Sequence, residues 1–288
     1  MMDTNIKKVG EDKLDISLCM IVKDELKNLK NNLSPLIKKF PEVIVVDTGS
    51  TDGTREYLDA LPDHMRVVDF SWRDDFSAAR NQYIKAATCK WIYWMDADEY
   101  LDPSYVSILK RCSEKGEDKA WAYRYQHGMS TFHIKLFPNL PEVQYIMRCH
   151  EQIYPSLVKA GVRELRFFPE PFKIVNPSYT EVSEKSAIRN ISLLKLDIEE
   201  KPEYLMSYVY LAYEYCNLSQ YDEGIVLLDG LLLKKSRRVT GQDRQVHRAA
   251  IIAKQMITLQ KKLHKKIEEG KSLTTEEMRE LIRLGSMR

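Results

Sequence analysis

The run Val43-Ile44-Val45-Val46 constrains this chain more than any other stretch. It is β-branched throughout and shows no polar alternation. Such a run suits a strand covered on both faces, as in a parallel sheet lying under helices. It ends in Asp47-Thr48-Gly49-Ser50-Thr51-Asp52-Gly53-Thr54, and a helical pattern follows to about residue 60. An apolar run, Ile16 to Val22, precedes it and stops at Lys23-Asp24-Glu25; residues 26–39 then carry Leu26, Leu29, Leu33, Leu36 and Ile37 at helical spacing, closed by Pro41. Arg66 to Phe70 reads as a third strand, residues 75–87 as a helix, and Trp91 to Met95 as a fourth strand that turns acidic at Asp96-Ala97-Asp98-Glu99. Strand–helix alternation of this kind implies βαβ units, a parallel sheet and an α/β fold.

The rest of the chain changes character twice. Residues 103–112 look helical, 120–126 and 132–137 read as antiparallel strands, and 143–154 as strand, short loop, strand; 161–177 are expected to be irregular. From Glu181 the pattern is helical to the end. Tyr208, Leu211, Ala212, Tyr215, Tyr221, Gly224, Leu228 and Leu231 fall at the spacing of a tetratricopeptide helix pair, although Ser236 stands where proline is usual. Thr274-Thr275-Glu276-Glu277 is a capping-box start for a last helix. The expected division is residues 1–180 and an all-α region over 181–288.

Composition removes several function classes. A formal charge of +2 over 288 residues gives no reason to expect nucleic acid. No apolar run reaches the roughly 20 residues that span a bilayer. The polar N-terminus has no signal-peptide core, and five scattered cysteines form no CxxC pair, so the cytoplasm is the expected compartment. The Asp47–Thr54 loop is neither a Walker A loop nor a GxGxxG turn, and it lacks GxSxG spacing.

In open α/β sheets ligands bind beyond the carboxyl ends of the strands. Polar clusters stand at four such ends: Lys23 to Glu25, Asp47 to Thr54, Trp72 to Asp75, and Asp96 to Glu99. Asp96 and Asp98 project to one side if the backbone stays extended. Carboxylates this close repel unless water or a cation separates them, and Mg2+ or Mn2+ would take their oxygens; a solvated acidic turn is the other reading. Asp47 can accept hydrogen bonds from a base or ribose, and Asp52 can do the same or cap the next helix. Arg80 can neutralise phosphate or make a salt bridge to Asp98 or Asp75. In His150-Glu151, the glutamate can serve as general base. The histidine can ligate a metal, contact phosphate, or sit satisfied in a core. Basic Lys234, Lys235, Arg237 and Arg238 read as a solvated helix end or a contact for an acidic partner.

Four stretches, in this order and spacing, resemble the family 2 glycosyltransferases of the GT-A fold. They are SLCMIVKDE (17–25), VVDTGSTDGT (45–54), DFSAARN (75–81) and WMDADE (94–99). Leu136-Phe137-Pro138-Asn139 and Cys149-His150-Glu151-Gln152 are similar to a bacterial subgroup that fuses this domain to tetratricopeptide-like helices. That subgroup includes S-glycosyltransferases of glycopeptide bacteriocins. The resemblance implies a nucleotide-diphospho-sugar transferase sheet and an inverting transfer of a hexose from a nucleotide-sugar donor, with a UDP-sugar expected. The acceptor would be a peptide, protein or saccharide. Cys19, Ile21, Glu25, Asp47, Ser50, Asp52, Arg80, Asp96 and Ala97 would line the nucleotide-sugar site. Asp96-Ala97-Asp98 would be the DxD motif, with Asp98 on Mn2+ or Mg2+, joined by His150 or Asn176, and Glu151 would be the catalytic base. The family usually has Asn where Asp24 stands, and the subgroup often has His where Asn176 stands. The helical tail would grip an acceptor or form a homodimer; the alternative is a degenerate domain that serves only as a scaffold.

Overall fold

The computed structural model describes residues 14–125, 132–176, 183–233, 241–277 and 279. The boundary expected near residue 180, the stretch from Pro177 to Tyr179, and Lys234 to Arg238 with Ser236 fall outside the described residues.

The sheet has strand order β3-β2-β1-β4-β7-β6-β8. Strands β1 (Ile16–Val22), β2 (Glu42–Asp47), β3 (Met65–Asp69) and β4 (Trp91–Trp94) pair in parallel. The chain runs outward from β1 to β2 and β3, then returns to lay β4 on the other side of β1. That reversal opens a crevice beyond the strand ends, where open α/β sheets hold ligands. Strands β6 (Lys119–Arg124) and β7 (Phe132–Pro138) extend the sheet antiparallel beyond β4.

The β-branched run explains itself in this frame. Val43 and Val45 enter one core layer with Leu29, Leu33 and Leu36. Ile44 and Val46 enter the opposite layer with Tyr83, Ile92 and Trp94. The first layer is covered by a continuous helical segment: α1 (Leu26–Asn28), a π-helical turn (Leu29–Leu33) and α2 (Ser34–Ile37). Helix α3 (Thr54–Asp59) follows β2, α4 (Phe76–Ala86) follows β3, and α5 (Val106–Ser113) follows a 3-10 turn at Pro103–Tyr105.

Two expectations are corrected. Residues 143–153 form no strand pair; a single antiparallel bridge, Ile146 to Gln152, closes a loop before α6 (Tyr154–Lys159). Residues 161–177 are not wholly irregular. Strand β8 (Glu164–Phe167) pairs in parallel with β6, and β9 (Ile174–Val175) pairs with β5 (Tyr100–Leu101). These strands are short and largely exposed, so long-range pairing forms them where local pattern is weak.

Four helices follow: α7 (Glu184–Glu200), α8 (Met206–Asn217), α9 (Tyr221–Leu233) and α10 (Gly241–Glu268). Ala212 of α8, Leu228 and Leu231 of α9, and Ala253 and Ile257 of α10 share one core, while Ile191, Leu193 and Leu194 of α7 lie in another with Leu211 of α8. The capping box is formed: Glu277 N–H donates to Thr274 Oγ1 at 3.2 Å, and Thr274 N–H to Glu277 Oε2 at 3.0 Å. No described helix is long and apolar enough to cross a membrane.

Gly224 shows why a small residue is needed in α9. A Cβ added there would stand 2.9 Å from the Ala212 carbonyl oxygen. Alanine would favour the helix by about 1 kcal/mol, but forcing two backbones apart costs typically ~1–3 kcal/mol. Gly224→Ala is therefore expected to lower the melting temperature, read by circular dichroism.

Candidate active site

The first two strand-end loops are sewn together. Asp24 takes a left-handed backbone (φ 55°), a conformation that Asp and Asn both tolerate, so Asp in place of the family's Asn leaves this turn intact. Its Oδ1 accepts Thr51 N–H at 2.6 Å, and its own N–H donates to Ser50 Oγ at 3.0 Å. Asp52 accepts Leu26 N–H at 3.2 Å and Thr54 N–H at 2.9 Å, so it closes a local turn and cross-links the two loops, while Gly53 holds the N-cap position of α3. Asp47 is buried, and its Oδ1 takes Gly49 N–H, Ser50 N–H and the Ser50 hydroxyl at 3.1, 3.0 and 2.7 Å. This rigid Asx turn fixes the carboxylate at the end of β2. Cys19 is fully buried and its carbonyl accepts Met95 N–H at 3.1 Å, so it supports the strand rather than presenting a side chain; Ile21 is partly buried.

The acidic turn follows β4. Glu99 N–H returns to the Asp96 carbonyl at 3.0 Å, so the backbone turns here instead of running extended, which corrects the period-two expectation. The turn is held from several sides. Glu99 Oε2 accepts Asp96 N–H at 2.8 Å, and Asn32 donates to the Ala97 carbonyl at 2.8 Å. Pairing of β5 with β9 brings Asn176 alongside, and its Nδ2 donates to Asp98 Oδ2 at 3.1 Å. Asn176 thus offers Asp98 its amide nitrogen, with the carbonyl on the other side of the group.

Arg80 gathers the rest. Its guanidinium donates through Nε to Glu151 Oε1 at 3.0 Å and through Nη2 to Asp96 Oδ1 at 3.2 Å. It lies 4.1 Å from the Trp94 ring centroid, a stacking arrangement arginine favours. Sequence had pointed to Asp98 or Asp75 as its partner. Asp75 instead caps α4, accepting Ala78 N–H at 2.8 Å. Burial works against the Arg80 charge, but Glu151 and Asp96 outweigh it and raise its pKa well above the usual value. Burial likewise raises Asp96, yet Arg80 and Lys135 hold its carboxyl below the ordinary range. Asp98 is raised, by burial and then by Asp96. Glu25 is raised by burial and by the Asp98, Asp52 and Asp96 charges.

His150 is held by the helical region: its Nε2 lies 2.7 Å from Glu214 Oε1, and its ring stacks on Tyr210 at 4.5 Å. Sequence reasoning missed Lys135. This residue is fully buried, bonds both Glu99 oxygens at 2.9 and 2.7 Å, and stands 3.4 Å from the Trp94 centroid; Tyr125 also donates to Glu99. The signal was present as a lone lysine inside Ile134-Lys135-Leu136-Phe137.

A sequence profile described as glycosyl transferase family 2 matches residues 17–168. The chain belongs to this family. A TPR repeat-containing protein of Synechococcus elongatus is 36% identical over 161 residues, covering 54% of this chain and 40% of that protein. The SPbeta prophage-derived glycosyltransferase SunS of Bacillus subtilis is 38% identical over 92 residues, 31% of this chain and 22% of that protein. The chain thus spans less than half the length of these curated relatives. The fold is similar to that of S. aureus TarS 1-349 in complex with UDP-GlcNAc, with a TM-score of 0.52, 14% identity, and coverage of 91% of this chain and 93% of that one. The likeness in fold supports a GT-A sheet followed by an all-helical region.

The Glu99–Lys135 pair sets a stability test. Lys135→Met strands a buried carboxylate, which typically costs ~3–5 kcal/mol. The exposed Lys159–Glu142 pair at 2.9 Å is a control, because surface pairs are worth ~0–1 kcal/mol. Urea unfolding of Lys135→Met and Lys159→Met should show that large difference.

Proposed function

We propose that this domain transfers a hexose from a UDP-sugar to a hydroxyl or thiol of a peptide, protein or saccharide acceptor, with inversion. The observation that carries the reading is Arg80 bridging Asp96 to Glu151; on this reading the first belongs to a DxD turn and the second is the base. Asp47 and the β1 end would hold base and ribose, with Asp96 near the ribose.

In the transfer, Glu151 takes the acceptor's proton as its oxygen or sulfur forms a bond to the anomeric carbon. The bond from that carbon to the β-phosphate oxygen breaks on the opposite face, and its electron pair leaves with UDP. Arg80 orients the Glu151 carboxylate for that proton, since its Nε–H occupies Oε1.

The residues fit a divalent cation. The carboxylates of Glu25, Asp96, Asp98, Glu99 and Glu151 outnumber the cations Arg80 and Lys135 around the turn. Among the described residues no three His, Cys, Asp or Glu side chains converge to hold an ion alone. An ion that takes one carboxylate and otherwise diphosphate oxygens needs no such cage. Asp98 would be that carboxylate, with Asn176 beside it; a bound Mn2+ or Mg2+ supplies Lewis-acid neutralisation of the leaving diphosphate.

A panel of UDP-sugars, assayed for slow release of free sugar, tests the donor; release from none would overturn the reading. Glu151→Gln is expected to lower turnover on the order of 10²- to 10⁴-fold with UDP binding retained; near-normal transfer would remove Glu151 from the base role. Asp98→Ala should abolish the gain in UDP affinity that Mn2+ gives, measured by calorimetry with and without the ion. An unchanged titration would count against the DxD role.

A further inference from the structure

The loop that carries Glu151 is built mostly by the helical region. Met147 and Cys149 are buried among Ile191, Leu193 and Leu194 of α7 and Leu211 of α8. Arg148 N–H donates to Asp197 Oδ2 at 2.8 Å, and its guanidinium holds Glu200 at 2.6 and 2.7 Å. Gln152 Nε2 donates to the Tyr210 hydroxyl at 3.1 Å. Residues on either side of Glu151 are thus fastened to α7 or α8, while Glu151 itself turns back to Arg80.

Two of these loop residues sit in the left-handed region, Met147 at φ 73° and His150 at φ 52°. A side chain larger than glycine's persists there only when its surroundings over-determine it. For His150 the carbonyl takes Gln152 Nε2 at 2.9 Å, the ring stacks on Tyr210, and the imidazole is tied to Glu214. This α8 glutamate is 2% exposed, and its Oε1 sits 2.7 Å from both His150 Nε2 and Asn190 Nδ2. Its Oε2 takes Asn217 Nδ2 at 3.0 Å. A buried carboxylate is a poor choice for packing two helices, since apolar residues of like volume do that as well or better. Here its polar partners include the backbone neighbour of the candidate base.

We propose that Glu214 is a positioning residue for Glu151: through His150 it holds the left-handed turn that aims the Glu151 carboxylate at Arg80 and the acceptor. The proposal rests on the base assignment above. It makes the helical region a structural part of the active site, in addition to anything it does with an acceptor. The donor side, built by Asp47, Asp52 and the Asp96–Asp98 turn, shares no hydrogen bond with Glu214.

Glu214→Gln keeps the volume and removes the charge. Three measurements on the full chain decide the matter, using UDP and whichever UDP-sugar the unaltered protein hydrolyses. The kcat is expected to fall on the order of 10- to 100-fold, the scale of a small misplacement of a reacting group, with the Kd for UDP unchanged. In the Glu151→Gln background the second substitution should add nothing, because both act through one group. Hydrogen exchange at the Ile146, Arg148 and Gln152 amides should quicken, since the first and third pair across this loop and the second ties it to Asp197 of α7. Unchanged kcat, effects that multiply with Glu151→Gln, or unchanged exchange would each overturn the proposal. If Glu151→Gln alone retains full activity, the base assignment fails instead, and the exchange measurement still decides whether Glu214 holds the loop. Should Glu214→Gln fail to bind UDP, His150→Phe carries the same three measurements, since it keeps the stack on Tyr210 and loses only the bond to Glu214.

Discussion

The buried guanidinium of Arg80 is the interaction on which the site depends. It is 7% exposed, and an unpaired charge so buried would be strongly destabilising. Asp96 and Glu151 offset that cost along one edge of the guanidinium, at Nη2 and Nε, and in doing so are themselves fixed. The reverse also holds: without Arg80 the two carboxylates would face each other across a low-dielectric space with no counter-charge between them. The small residues of α4 make this possible. Ser77 and Ala79 are buried, Ser77 on the Met147 carbonyl, and the Asp75 cap starts the helix one turn before Arg80, so the guanidinium enters over Trp94. The aromatic end of β4 is therefore more than core. Its indole receives Arg80 and Lys135, the two cations that neutralise the acidic turn following it.

What could be read from sequence was what local chemistry determines. The run Val43 to Val46 announced a strand with both faces covered because its alternate residues do enter two cores. The Asp47 loop was legible because an Asx turn closes on its own next residues, and the last capping box because Thr274 and Glu277 are three apart. What escaped was pairing across distance. Lys135 and Glu99 lie 36 residues apart, and Arg80 and Glu151 lie 71 apart. Nothing in either neighbourhood selects the partner. For Arg80 the sequence offered phosphate or a salt bridge to Asp98 or Asp75, whereas the fold carried it to Asp96 and Glu151. The 143–153 stretch looked β-like because Val143, Tyr145, Met147 and Cys149 alternate; they do alternate in burial, but their hydrophobic partners are helices and the sheet core, not a neighbouring strand.

The placement of buried charge also bears on whether such a domain is a catalyst or only a scaffold. Arg80, Glu99, Lys135 and Glu214 are nearly or fully buried, and each charge is paired with specific partners. For a fold that had merely to hold two helical pairs against a sheet, apolar side chains of similar volume would do the same work with less desolvation. The charges are not spread through the cores. Three of them bear on the crevice where β1 and β4 diverge, and the fourth grips the loop entering it. Each also contacts a group with a proposed role or one that holds such a group: Arg80 meets Asp96 and Glu151, Lys135 meets Glu99, whose carboxylate takes the Asp96 amide, and Glu214 meets His150, next to Glu151. A scaffold would bear the desolvation of these groups without return, whereas a transferase uses it to keep a base, a diphosphate clamp and their counter-ions in fixed register.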